Sequence, residues 1–133
     1  MNDAYTKAFN LYNDLVVNLF YRAAYTKFSD ELDGNLIEFR AGDMEKDQLI
    51  HLKCVELEGK IVLARYQAYG CPYFIASSEW LCEQLEGSVS NKINKIKLQD
   101  LMDLLDIPIA KKSIILLLED AMNGIEVQLD NCN

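Results

Sequence analysis

The sequence predicts an α+β domain: a three-stranded antiparallel sheet with an N-terminal helix and several C-terminal helices packed on one face. Three observations carry that expectation. The strand-like runs fall in one block between residues 35 and 69, and the helical patterns lie outside it, which is the segregation expected of α+β chains. Short polar turns join the three runs, as in an antiparallel meander. The chain has 133 residues, half of them hydrophobic, which suits one domain over residues 1–133 with its own core.

Ala4 to Ala24 reads as the first helix, with Asn2 or Asp3 as its cap and Ala8, Leu11, Tyr12, Leu15, Leu19 and Phe20 at helical spacing. Thr26 to Gly34 is polar and reads as a loop. Asn35 to Arg40 is the first strand, broken at Ala41-Gly42-Asp43, and Met44 to Asp47 continues a polar turn. Gln48 to Leu57 is the second strand. Ile50, Leu52 and Cys54 share one of its faces, with His51 and Lys53 on the other, solvent-facing one. Glu58-Gly59-Lys60 turns the chain into the third strand, Ile61 to Tyr69. The next helix carries Phe74, Ile75, Trp80, Leu81 and Leu85 on its apolar side and stops at Gly87. Ser88 to Lys97 holds a short helix capped by Ser88 or Ser90, and Lys97 to Leu105 another, ended by Asp106-Ile107-Pro108. Ser113 to Val127 is the last helix, capped by Ser113, with Ile114, Leu117, Leu118, Ala121 and Ile125 in its buried stripe. Gln128 to Asn133 is expected to fray.

The chemistry-bearing stretch is Tyr69-Gly70-Cys71-Pro72, where the third strand hands over to a helix. Gly70 suits a tight turn and Pro72 a first helical turn, so Cys71 falls at or just before a helix N-terminus, which favours a thiolate. Such a sulfur can bind metal, carry sulfur or attack an electrophile; the alternative is a half-buried structural thiol. The other cysteines are Cys54, Cys82 and Cys132. They form no CxxC pair, and no His/Cys spacing reads as a zinc site. Cys54 reads as core, Cys82 as structural within its helix, and Cys132 as part of a mobile tail. His51 is the one histidine and reads as a strand residue, less readily as a ligand, so a Cys/His dyad has no evident base and a self-contained enzyme is not expected.

The formal net charge is −8, which disfavours nucleic acid and anionic membranes as partners. The N-terminal segment lacks a signal-peptide pattern and no apolar run is long enough to span a bilayer, so a reducing, cytoplasmic setting with free thiols is the expectation.

Ala64-Arg65-Tyr66-Gln67-Ala68-Tyr69-Gly70-Cys71, followed by Ile75-Ala76-Ser77-Ser78, resembles the strand, cysteine loop and helix start of the IscU/NifU N-terminal scaffold family, whose pattern there is A-R-F-K-T-Y-G-C-G-S-A-I-A-S-S. Glu83, Leu85 and Gly87 fall where that family has E-W-L-K-G, and Ile96-Lys97 and Asp100 in its I-K-N-T-D stretch. Ile107-Pro108-Ile109-Ala110-Lys111 resembles its L-P-P-V-K segment, Glu119-Asp120-Ala121 its final helix, and Ala41-Gly42-Asp43 its C-G-D loop. The clear resemblance covers about half the chain, and the common register makes it specific.

The resemblance implies a scaffold for iron–sulfur cluster assembly, with iron or a cluster held at Cys71 and Asp43. The implied partners are a cysteine desulfurase and, at Ile107 to Lys111, a DnaK-type chaperone. It also shows what this chain lacks. The family's C-G-D cysteine is Ala41 here, its histidine and cysteine before the last helix are Ser113 and Ile114, and Pro72 replaces the glycine after the middle cysteine. Iron–sulfur clusters are held by thiolates, typically about four. Three functions follow: a divergent scaffold binding iron or sulfur at Cys71 with Asp43, alone or across a homodimer; a SufE-like persulfide acceptor using Cys71; or a ligand-depleted adaptor that keeps only docking surfaces.

Overall fold

The computed structural model describes residues 11–28 and 33–132, the side chain of Met44 excepted. Along the chain lie α1 (Asp14–Arg22), β1 (Asn35–Asp43), β2 (Gln48–Leu57), β3 (Lys60–Tyr69), α2 (Pro72–Leu85), α3 (Asp100–Leu104) and α4 (Ser113–Asn131), with 3₁₀ segments at Met44–Lys46, Ser90–Lys95 and Ile109–Lys111. The strands form one antiparallel sheet in the order β1-β2-β3, the expected meander.

Strand alternation sets the layers. Ile37, Ala41, Ile50, Leu52, Cys54, Ile61, Ala64 and Tyr66 point to one face and are buried there. On that face α2 packs against β3 and α4 against β1, while α1 packs on α2. The other face is not open to solvent along its length. Lys53, Val55 and Leu63 are buried. The Phe28 ring lies 5.0 Å from Lys53 Nζ and meets His51 edge-on at 5.1 Å. His51 is therefore half-buried, contrary to the solvent-facing expectation, because the segment after α1 returns across this face.

The edges of the sheet are engaged as well, which blunts their tendency to pair with other chains. Residues 87–90 bond to β3, with Gly87 N–H donating to the Ile61 carbonyl at 2.7 Å and Ile61 N–H to Ser88 at 2.9 Å. Tyr66 N–H donates to the Tyr25 carbonyl at 2.9 Å. On β1, Gln128 Nε2 donates to the Glu38 carbonyl at 2.8 Å.

Several boundaries differ from expectation. The short helix placed at Ser88 to Lys97 is the 3₁₀ segment Ser90–Lys95, whose N-cap is Val89 and neither Ser88 nor Ser90, and the helix placed at Lys97 to Leu105 begins only at Asp100. The first half of the helix placed at Ala4 to Ala24, with its caps Asn2 and Asp3, lies outside the described residues. Within them α1 starts only at Asp14. Asn13 Oδ1 accepts from Val16 N–H at 2.9 Å, and its amide donates to the Leu104 carbonyl at 2.9 Å. With the helix starting here, Leu11 and Leu15 face outward and Val16 and Leu19 are buried. Ala41-Gly42-Asp43 does not break β1, since the three residues pair with Ile50, Leu49 and Gln48. Gly42 has φ +112, and a Cβ there would strike the Gln48 carbonyl, so only glycine continues the ladder. Ser113 does not cap α4. The preceding 3₁₀ turn runs straight into the helix and Lys112 supplies the first acceptor, to Ile115 N–H at 3.0 Å. Finally, residues 128–131 remain helical, because Leu129 is buried and Gln128 is tied to β1.

One buried carboxylate joins the first third of the chain to the rest. Glu79 on α2 is fully buried and accepts from Arg22 Nε at 2.8 Å, Ala24 N–H at 2.7 Å and Tyr25 N–H at 3.2 Å. A buried charge persists only when paired and hydrogen-bonded in this way.

Candidate functional site

β3 ends at Tyr69, which pairs with Leu49, which in turn pairs with Gly42. One end of the sheet therefore gathers the β1–β2 hairpin and the start of α2. Cys71 is the N-cap residue of α2, in extended backbone at φ −72 and ψ 167, and Pro72 opens the helix. The Cys71 carbonyl accepts from Phe74 N–H at 3.0 Å and Ile75 N–H at 3.1 Å. Its sulfur makes no capping bond; the side chain is half-buried against the edge of the core. The Ile75-Ala76-Ser77-Ser78 motif builds the helix beneath it. Ser77 and Ser78 are fully buried and their hydroxyls donate back to the Tyr73 and Phe74 carbonyls, at 2.7 and 2.9 Å.

Asp43 is exposed at the tip of β1, where one carboxylate oxygen accepts from Glu45 N–H at 2.9 Å. It lines a cleft of 360 Å³ with Lys46, Gln48, Ser113, Leu116 and Asp120, between the hairpin and α4. The fold thus brings Asp43 and Ser113 together. Cys71 is not among the residues lining this cleft. At the usual strand spacing, Gly42 and Tyr69 stand about 10 Å apart across the sheet. Ala41 points into the core at 9% exposure, and Ile114 is fully buried. Among the described residues no group of three His, Cys, Asp or Glu side chains could hold a metal ion.

The other thiols are set apart by burial. Cys54 and Cys82 are fully buried, and burial pushes the Cys54 thiol up to about 12 and the Cys82 thiol well above its ordinary value. Cys132 is exposed at the end of α4, and all four cysteines are free. In the segment Ile107 to Lys111, Ile107 is buried, whereas Pro108, Ile109, Ala110 and Lys111 are exposed, Ile109 to 84%. Sequence patterns did not single out Lys46 and Asp120 as neighbours of Asp43, nor Glu79 as a buried acceptor. Each is a common surface residue type, and only packing between distant segments marks it out.

A meander sheet with helices on one face and a single cysteine at its strand-to-helix turn defines a domain of the IscU/NifU type. The chain belongs to the NifU-like N terminal domain family, whose profile matches residues 12–126. It is 28% identical over 123 residues to the iron-sulfur cluster assembly protein IscU of Plasmodium falciparum, covering 92% of this chain and 75% of that protein. Its fold is similar to the crystal structure of a candidate iron-sulfur cluster assembly scaffold protein for the SUF system from Fervidobacterium islandicum AW-1. That match has a TM-score of 0.55 at 14% identity and spans 65% of this chain and 62%, less than two thirds, of the other. No helix among the described residues is long and apolar enough to cross a membrane.

Proposed function

We propose that this chain takes part in iron–sulfur cluster assembly by carrying sulfur on Cys71. The observation that supports this reading is a half-buried thiol, free of any capping bond, at the start of α2; the family resemblance implies that Ala41, Ser113 and Ile114 stand at its other anchoring positions. One thiolate cannot enclose a cluster, but one suffices for exchange. The Cys71 thiolate attacks the outer sulfur of a persulfide on a cysteine desulfurase. A new sulfur–sulfur bond forms on Cys71, the old one breaks, and the desulfurase leaves as a thiolate; the proton stays on the transferred sulfur. No outside oxidant or reductant is needed, so the chain acts as a carrier and not as an enzyme. The exposed segment Pro108 to Lys111 serves as the docking strip for a DnaK-type chaperone.

Anaerobic incubation with a cysteine desulfurase and cysteine, followed by peptide mass mapping, tests this. One added sulfur is expected on Cys71, absent in Cys71→Ser and retained in Cys132→Ser. An unmodified Cys71 overturns it. The location of Asp43 at the same end of the sheet supports a second reading, in which Asp43 and Cys71 hold iron, within one chain or across a homodimer. Iron retained after reconstitution with iron and sulfide, and lost in both Asp43→Asn and Cys71→Ser, would favour that reading.

A further inference from the structure

We propose a second binding site, for a carboxylate side chain of a partner protein, on the sheet face away from α2 and α4. Register places Arg40, His51 and Gln67 in one row across the three strands, with Gly42, Leu49 and Tyr69 in the next row. At this end the face hollows into a cavity of 290 Å³ lined by Arg40, Leu49, His51, Gln67, Ala68 and Tyr69.

Two donors of this row, on Arg40 and Gln67, are unspent among the described residues. The chain has three arginines. Arg22 is bound to Glu79 and Glu83, at 2.8 and 2.5 Å, and Arg65 to Glu86 at 2.5 Å. Arg40 makes no side-chain hydrogen bond or ion pair among the described residues, in a chain with 21 acidic and 13 basic side chains. Gln67 is likewise uncommitted. His51 Nε2 is buried without a hydrogen-bond partner; Glu38 Oε1, outside the cavity lining, is 3.7 Å away. A guanidinium fork with an amide N–H beside it matches the two oxygens of a carboxylate. One cation balances one negative charge, and the chain's net −8 opposes the extra charge of a phosphate.

Leu49 and the half-exposed Tyr69 supply an apolar wall for an aliphatic stem. At 290 Å³ the hollow is at or below the smallest ligand pockets, about 300 Å³, a size for one acidic side chain and its neighbour. Tyr69 precedes Cys71 by two residues, so a partner anchored here lies beside the thiol.

The test uses the labelled full chain as Cys71→Ser, which makes it independent of sulfur transfer. Side-chain NMR signals of Arg40 and Gln67 are followed against three probes: a blocked peptide with one glutamate between leucines, its glutamine counterpart, and butyrate. The glutamate peptide is expected to give saturable shifts, weakened about tenfold or more in Arg40→Ala and, through loss of the fork, also in Arg40→Lys. Butyrate, lacking the flanking contacts, is expected to bind more weakly. Equal binding of the glutamine peptide, or no saturation with any probe, overturns the carboxylate site. Butyrate binding as well as the peptide overturns the protein partner in favour of a free small acid.

Discussion

Cys71 and Cys54 are the same side chain in opposite surroundings. Cys71 caps a helix at the sheet end with part of its surface open; Cys54 points from β2 into the core, where its thiol is pushed up to about 12. Iodoacetamide at neutral pH is therefore expected to label Cys71 and Cys132 and to spare Cys54 and Cys82 until the protein unfolds. Labelling of all four at equal rates in the native protein would contradict this burial pattern. Glu56 makes a titration prediction. Its carboxylate is held below the usual range by Asn35 Nδ2 at 2.8 Å and Gly59 N–H at 2.8 Å. A depressed folded value means stability present above the unfolded value of about 4.3 and lost as pH falls through the folded one. Glu56→Gln should be less stable than the parent near neutral pH, and the gap should close in urea titrations below about pH 4. A gap unchanged by acid would show that the charge of Glu56 has no part in it.

Helix α4 shows how an element can contradict its own propensities. Gly124 sits inside it, where glycine costs about 1 kcal/mol relative to alanine. The reason is contact: a Cβ at Gly124 would enter the Phe39 ring on β1. Gly124→Ala should lower unfolding free energy by about 1–3 kcal/mol in denaturant titrations, because overpacking outweighs the gain in propensity; a stabilised variant would mean that the ring moves aside freely. The same helix was expected to fray from Gln128, yet it continues to Asn131 through its anchor on the Glu38 carbonyl. α1 erred in the other direction. Its apolar spacing reads straight through Asn13, but that side chain caps the helix, and Val16 is buried in place of Leu15. Periodicity reports which residues can face a core. A local hydrogen bond decides where the period is reset.

For the whole molecule, the Glu79 clasp is the decisive joint. It holds the residues after α1 against α2 with Arg22 and two backbone N–H groups. Glu79→Ala should cost about 3–5 kcal/mol, read by urea unfolding, with faster amide exchange in residues 22–28; a loss under 1 kcal/mol would mean water replaces the carboxylate. By itself the sequence determined the α+β class, the strand order and the turn that bears Cys71. Those rest on alternation, turn chemistry and residue identity, all of which are local. Only the tertiary structure decided that Asp43 shares a cleft with Ser113 and Asp120 while Cys71 stands off it, that Phe28 covers His51 and Lys53, and that Arg40 has no partner among the described residues. Each depends on side chains far apart in the chain competing for the same space and the same hydrogen bonds, and no local pattern records which of them wins.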